Sequence, residues 1–196
     1  MRKPIVAFDL DGVCADTTNA VEAKVVDYFG IEKTLLHPGS DYNNVYHLDD
    51  TQLKDEVNEY VDYLFKHDAS IYLNATPIKG VWLSSRYIKP IAYITRRPAQ
   101  HGIEEATLKW LEKEGLFKAP VYFVPRGICK STVAKDLGVD FIIEDSPAEI
   151  LSCRENGLAT VVMSYHYNKI VQKEDTIVVK DWEEINKWWT ETWLPQ

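Results

Sequence analysis

Two aspartates close a short apolar run near the start of the chain. Residues 4–8 (Pro-Ile-Val-Ala-Phe) lead straight into Asp9-Leu10-Asp11-Gly12-Val13. Asp9 and Asp11 are two apart, so an extended backbone points both to one side. Later apolar runs end in residues of equal chemical interest: 91–94 in Thr95, and 141–143 in Glu144-Asp145. Lys130 opens a short helical pattern that follows the run 121–124. One acid after one strand is common; acids after two strands, with a hydroxyl and a lysine between them, form a set.

The chemistry that uses such a set is phosphoryl transfer. Asp9 can attack phosphorus and form an aspartyl-phosphate, while Asp11 protonates the leaving oxygen and then deprotonates water. Carboxylates beside a phosphate dianion repel it, each pair at 4 Å by about 4 kcal/mol at an effective dielectric of 20. A hard divalent cation removes that repulsion, and magnesium characteristically takes one or two carboxylates plus substrate phosphate. The expected protein ligands are Asp9, Asp145 and a backbone oxygen at Asp11. Thr95 and Lys130 would hold the equatorial phosphate oxygens, where charge accumulates. Arg96 is placed with them as a substrate-binding residue. Arg96 and Arg97 together read either as a surface pair or as meeting a second charged feature of the substrate.

The elements that must position these residues follow from periodicity. Residues 4–8, 91–94, 121–124, 141–143, 159–163 and 176–179 read as strands, the continuous apolar runs as strands buried on both faces. After the first strand, Val21, Val25, Val26 and Phe29 fall at helical spacing before Gly30, and Asn19 with Glu22 fits a capping pair. Residues 33–50 read as irregular. A second helix carries Leu53, Val57, Tyr60, Val61 and Leu64 on one face, and Pro77 and Gly80 punctuate its far side. Further helices are expected over 102–114, with Ile103, Ala106, Trp110 and Leu111 inward, and over 147–155, with Ser146 as cap and Pro147 at the first position. A tryptophan-rich helix ends the chain. Strands alternating with helices predict an α/β fold, a doubly wound, mostly parallel sheet in three layers. Residues 1–16 and 77–196 would make its core, with 17–76 a small helical cap inserted after the first strand. In such sheets ligands bind at the carboxyl ends of the strands, where strand order reverses.

With these motifs in order, the chain resembles the haloacid-dehalogenase superfamily of phosphatases. Asp9-Leu10-Asp11-Gly12-Val13 is similar to their first motif, the strand ending in Thr95 to their second, Lys130 to their third, and Ile142-Ile143-Glu144-Asp145 to their fourth. A finer resemblance is to the 5'(3')-deoxyribonucleotidases. It rests on Ile94-Thr95-Arg96-Arg97-Pro98, Thr107-Leu108-Lys109-Trp110-Leu111, Glu144-Asp145-Ser146-Pro147, Tyr165-His166-Tyr167-Asn168 and Val179-Lys180-Asp181-Trp182-Glu183-Glu184-Ile185. That resemblance implies a Mg2+-dependent hydrolase with a small-molecule phosphomonoester substrate, a nucleoside monophosphate, covered by the helical cap. Arg96 stands where those nucleotidases carry a small hydroxyl residue.

Composition narrows the alternatives. The 196 residues carry a net charge of -8, which repels nucleic-acid backbone, so bulk nucleic-acid binding is not expected. Cys14, Cys129 and Cys153 form no C-x-x-C pair, which argues against a disulfide framework or structural zinc. With no signal-like or membrane-spanning run, a reducing cytoplasm is the expected compartment and no membrane partner is expected.

Glu144 reads as orienting metal-bound water, Asp16 as tethering the entry to the cap, and Cys14 as a packed neighbour of the site. Trp182, Ile185, Trp188 and Trp189 share one helical face, read first as core and second as a homodimer surface. Tyr42 and Tyr46 are the residues expected to stack on a base, and Tyr60 belongs to the cap core. Gly127-Ile128-Cys129-Lys130-Ser131 lacks the glycine before lysine that a P-loop requires. The rival functions are a sugar-phosphate phosphatase, a phosphatase of nucleic-acid 3' ends (Thr95-x-Arg97-Pro98 resembles that motif) and a non-catalytic phospho-receiver.

Overall fold

The computed structural model describes residues 2–41, 44–47, 51–173 and 176–193. Six short strands form one parallel sheet: β1 (Val6–Phe8), β6 (Ala92–Thr95), β7 (Val121–Phe123), β8 (Phe141–Glu144), β9 (Ala159–Met163) and β10 (Ile177–Val179). Their spatial order is β10-β9-β8-β1-β6-β7. Every residue of β1, β6 and β8 is buried, whereas β7 and β10 at the edges are partly exposed. That is why the central strands read as unbroken apolar runs.

Alternation along β1 feeds two cores. Val6 and Phe8 join Tyr93, Phe141 and Ile143 in a cluster completed by α4 (Val81–Ile88), α5 (Ile103–Lys113) and α8 (Trp182–Trp193). Ala7, Ala92, Ile94 and Ile142 face the other way, onto Ala134 of α6 (Lys130–Asp136) and Cys153 of α7 (Pro147–Glu155). The result is the expected three-layer, doubly wound α/β architecture. From β1 the chain passes to β6 and β7 on one side, then returns to β8, β9 and β10 on the other, so strand order reverses between β1 and β8. The Trp182, Ile185 and Trp189 face is this chain's own core, each at most 1% exposed.

A two-stranded antiparallel ladder, β2 (Ala15–Asp16) with β5 (Thr76–Pro77), brings the two ends of a long excursion together. Between them lie α1 (Thr18–Phe29), α2 (Thr51–His67) and α3 (Ala69–Leu73). Val21, Val25, Leu36, Val57, Val61, Leu64, Ile71 and Tyr72 form a separate apolar cluster there, with Ile103 of α5 packed into it and Tyr60 against it. Asp68 caps α3 by accepting from the Ser70 N–H at 2.8 Å and pairs with Lys24 of α1 at 3.0 Å.

Several local expectations are corrected. Residues 33–50 are not simply irregular: a 3-10 turn (Lys33–Leu35) precedes a hairpin of β3 (His37–Asp41) and β4 (Asn44–His47). Tyr42, expected to stack on a base, lies outside the described residues, as does the side chain of Tyr46. The Asn19–Glu22 capping pair does not form; α1 starts at Thr18, whose N–H is held by Asp16 Oδ1 at 2.9 Å. Ser146 precedes α7 but makes no side-chain cap bond; its N–H instead goes to Glu144 Oε1 at 3.0 Å. Helix α4 has no counterpart in the periodicity because two of its buried positions are serines. Ser84 and Ser85 satisfy their hydroxyls on the Gly80 and Trp82 carbonyls, at 2.9 and 3.0 Å, and so pack as small side chains.

Candidate active site

The site begins at the last residue of β1. The Asp9 N–H donates to Ile143 O of β8 at 3.0 Å, which seats Asp9 at the crevice where strand order reverses. Past it the chain turns sharply. Leu10 O accepts from the N–H groups of Val13, Cys14 and Ala15, and Gly12 takes φ 75°. Cys14 is packed under this turn, its Sγ donating to Asp9 O at 3.2 Å, as its reading as a buried neighbour anticipated.

Lys130, the first residue of α6, is 1% exposed. Its Nζ lies 2.7 Å from Asp9 Oδ1 and 3.0 Å from Glu144 Oε2. Burial alone would pull its pKa down, but Asp9 and Glu144 overcome this and hold it above the ordinary lysine value. The Glu144 carboxylate, expected to orient metal-bound water, binds Lys130 with one oxygen and the Asp145 and Ser146 N–H groups with the other, the latter two at 3.2 and 3.0 Å.

Asp145 is clasped from the far side by residues 165–168. Tyr167 donates its hydroxyl to Asp145 Oδ2 at 2.5 Å, and Asn168 Nδ2 donates to Asp145 O at 2.8 Å. Tyr165 donates to Gly12 O at 2.8 Å and stacks on Tyr167 with ring centroids 5.2 Å apart. Thr95 is fully buried at the end of β6, its Oγ1 accepting from the Arg97 N–H at 3.2 Å.

The two arginines after Thr95 differ sharply. Arg96 forms an ion pair with Glu149 of α7 at 2.6 Å and donates to the Val124 and Pro125 carbonyls. Its guanidinium is thus committed to stitching loops rather than lying open to a substrate. Arg97 is no surface residue: it is 2% exposed and donates to both oxygens of Asp11, at 2.9 and 2.8 Å. The structure therefore gathers Asp9, Glu144, Asp145 and Lys130 directly, ties Asp11 to Arg97, whose N–H meets Thr95, and commits Arg96 elsewhere. Arg97, open between a surface pair and a contact to a second charge on the substrate, holds Asp11 instead, and no role was expected for Tyr165, Tyr167 or Asn168 individually. The i, i+2 spacing of Thr95 and Arg97, the same as Asp9 and Asp11, was a usable signal for Arg97. Nothing in the sequence indicated where the tyrosine hydroxyls would go.

Charge here is unbalanced. One carboxylate oxygen from each of Asp9, Glu144 and Asp145 lies within 4.8 Å of the others, all buried. Lys130 is their only cation among the described contacts, because Arg97 answers Asp11. Burial, then the neighbouring Asp9 charge, push the Asp145 carboxyl up to about 7, against the opposing pull of Tyr167 and Lys130. Asp9 is likewise held well above its ordinary value by burial and by Glu144. Buried, all-oxygen, under-compensated carboxylates are a donor set that a hard dication fits.

The same architecture occurs in other solved structures. A haloacid dehalogenase-like hydrolase from Streptococcus pneumoniae superposes with a TM-score of 0.58 at 12% identity, covering 94% of this chain and 97% of its own. A conserved haloacid dehalogenase-like protein from Agrobacterium tumefaciens gives 0.61 at 15% identity, covering 95% and 97%. A HAD-superfamily hydrolase of subfamily IA from Geobacter sulfurreducens gives 0.56 at 13%, covering 95% and 100%. At these identities the likeness establishes the fold. No curated protein sequence matches significantly, and no helix among the described residues is long and apolar enough to cross a membrane. A family model does match, over residues 3–190, nearly the whole chain: "5' nucleotidase, deoxy (Pyrimidine), cytosolic type C protein". The chain therefore belongs to that nucleotidase family, and with it to the phosphatases of the haloacid-dehalogenase superfamily.

Proposed function

We propose that the chain hydrolyses nucleoside monophosphates to nucleoside and inorganic phosphate, in the cytoplasm, through a phosphorylated Asp9. The observation that carries the reading is the buried pairing of Lys130 with Asp9, 2.7 Å apart, beside Asp145 at the reversal point of the sheet. Asp9 attacks phosphorus. Asp11 gives a proton to the leaving oxygen and later takes one from the attacking water. Lys130 and Thr95 hold phosphate oxygens, Lys130 by charge and Thr95 by its hydroxyl proton. Asp9, Asp145 and the Asp11 backbone oxygen would hold Mg2+. The cation's chemistry, when bound, is to offset the carboxylates' repulsion of the phosphate. Glu144 keeps Lys130 in place and shapes the turn after β8. Residues 17–76 act as the cap that closes over the substrate and excludes water.

The test is a Mg2+-dependent phosphate-release screen over deoxy- and ribonucleoside monophosphates, sugar phosphates and short 3'-phosphorylated oligonucleotides. Mononucleotides should be the best substrates, and Asp9→Asn should abolish turnover with the fold intact. Preferred cleavage of a sugar phosphate or an oligonucleotide end would overturn the substrate assignment. Retained activity in Asp9→Asn would overturn the nucleophile.

A further inference from the structure

The phosphate chemistry above leaves one buried cation without a task. The Arg97 side chain is fully enclosed, while that of the Asp11 it holds is 32% exposed. Its Nε and Nη2 grip both carboxylate oxygens, and Nη1 donates to Thr107 Oγ1 at 3.2 Å. The guanidinium carbon lies 4.5 Å over the Tyr72 ring and 5.7 Å from the Trp110 ring. Enclosing a guanidinium is costly, and the two-bond fork it makes fixes both the position and the plane of the carboxylate. Gripped by both oxygens from the protein side, Asp11 presents one orientation to the accessible side.

Both aromatic walls of the arginine slot belong to, or are tied to, the segment between β2 and β5. Tyr72 is part of α3, and its hydroxyl donates to Phe65 O of α2 at 2.6 Å. Trp110 of α5 donates its indole N–H to Ala75 O at 2.8 Å, immediately before β5. A displacement of that segment therefore moves the walls that fix the guanidinium.

We infer that Arg97 is a positioning residue that aims Asp11 at the ester oxygen and couples that aim to the inserted segment through Tyr72 and Trp110. The inference rests on the reading of Asp11 as proton donor. In the first half-reaction an Asp9 oxygen bonds to phosphorus as the P–O ester bond breaks. The Asp11 proton passes to the departing oxygen, leaving a carboxylate in the arginine fork. In the second, water attacks the phosphorus of the aspartyl-phosphate and gives its proton to Asp11, releasing inorganic phosphate and restoring Asp9.

The diagnostic readout is leaving-group dependence. A nucleoside monophosphate expels an alkoxide that needs the proton, whereas p-nitrophenyl phosphate expels a stable phenolate that does not. Arg97→Met should lower kcat/KM, which reports only the first half-reaction, about 100-fold on the nucleotide and less than about tenfold on the aryl ester. Arg97→Lys keeps the buried charge but cannot fork onto two oxygens; it should show the same split even if Arg97→Met fails to fold. Tyr72→Leu should split the two esters in the same direction by about tenfold, and Tyr72→Phe, which keeps the ring, by less than about threefold. Equal losses on both esters in Arg97→Lys, or no loss, would overturn the positioning role. An unchanged ester ratio in Tyr72→Leu would overturn the coupling to the segment. A wild-type protein that cleaves neither ester overturns the phosphatase reading itself, and this inference with it.

Discussion

The main chain at Gly12 lies directly against the Asp145 carboxylate: a Cβ added at Gly12 would stand 2.2 Å from Oδ2 and 2.4 Å from Cγ of Asp145. The contact joins the turn after β1 to the end of β8, across the crevice where the sheet reverses. Asp145 has little room to yield, because Tyr167 holds the same oxygen and Asn168 holds its carbonyl. Gly12 also sits at φ 75°, where a side chain costs about 1–2 kcal/mol of backbone strain. Gly12→Ala should therefore lower the melting temperature by about 2–8 °C. Phosphate release should fall at least about tenfold, because Asp145 must move to admit the methyl group. Thermal denaturation and a phosphate assay check the two effects separately. Normal turnover in a destabilised variant would mean that the position of Asp145 is not critical.

Lys130 is enclosed with two carboxylates, so its removal strands both. Lys130→Met should destabilise the fold by about 3–5 kcal/mol, the usual consequence of breaking a buried ion pair from one side. Adding Glu144→Gln removes part of the stranded charge, and the double variant should be more stable than the sum of the single losses predicts. Urea unfolding of the four proteins gives the coupling directly. Additive losses would show that Lys130 and Glu144 act independently despite their 3.0 Å contact.

Asp68 links α1 to α3 through Lys24 and the Ser70 N–H. Burial opposes its ionisation, yet the bonds from Ser70 and Lys24 prevail and lower its pKa below the usual 3.8. A depressed folded-state pKa contributes stability that is present above the unfolded value and is lost as pH falls through the folded one. Asp68→Ala should cost about 1 kcal/mol at pH 7, chiefly the lost helix cap. The gap between the two proteins should close as pH drops below about 4. A gap of constant size down to pH 2 would assign the effect to packing instead of charge.

The order of strands and helices was legible because the central strands are buried on both faces and the helices of the core keep regular apolar spacing. Where that spacing failed, the reason was local. The buried serines of α4 carry no apolar signal, and the residues of β3, His37-Pro38-Gly39-Ser40-Asp41, have no alternation to betray a strand. At the site, Asp9, Asp11, Thr95, Lys130 and Asp145 stood out because each follows a strand or opens a helix. Arg97 was noticed, but not as a buried partner of Asp11, since arginine is ordinarily exposed. Its burial depends on Tyr72 and Trp110, whose approach is tertiary. Tyr165-His166-Tyr167-Asn168 stood out only as part of the family resemblance; that Tyr167 and Asn168 hold Asp145, more than twenty residues away, is a tertiary contact that leaves no pattern in the chain.

That clasp leads to a prediction about the metal. With Asp9, Glu144 and Asp145 under-compensated by Lys130 alone, a bound dication should stabilise the folded protein, by about 2.7 kcal/mol at one hundred times its dissociation constant. Raising Mg2+ should therefore raise the melting temperature of the wild type. Asp145→Asn removes a ligand charge and should abolish that shift. Tyr167→Phe leaves every proposed ligand in place and deletes only the hydroxyl that orients Asp145. If the tyrosine acts through Asp145, the Mg2+ concentration giving half the thermal shift should rise about tenfold, the usual effect of losing such a supporting hydrogen bond. The shift at saturating metal should persist. A Tyr167→Phe protein with wild-type Mg2+ dependence would show that Gly12 and the fold of the β8 turn suffice to orient Asp145. A wild type indifferent to Mg2+ would overturn the assignment of these carboxylates to a metal.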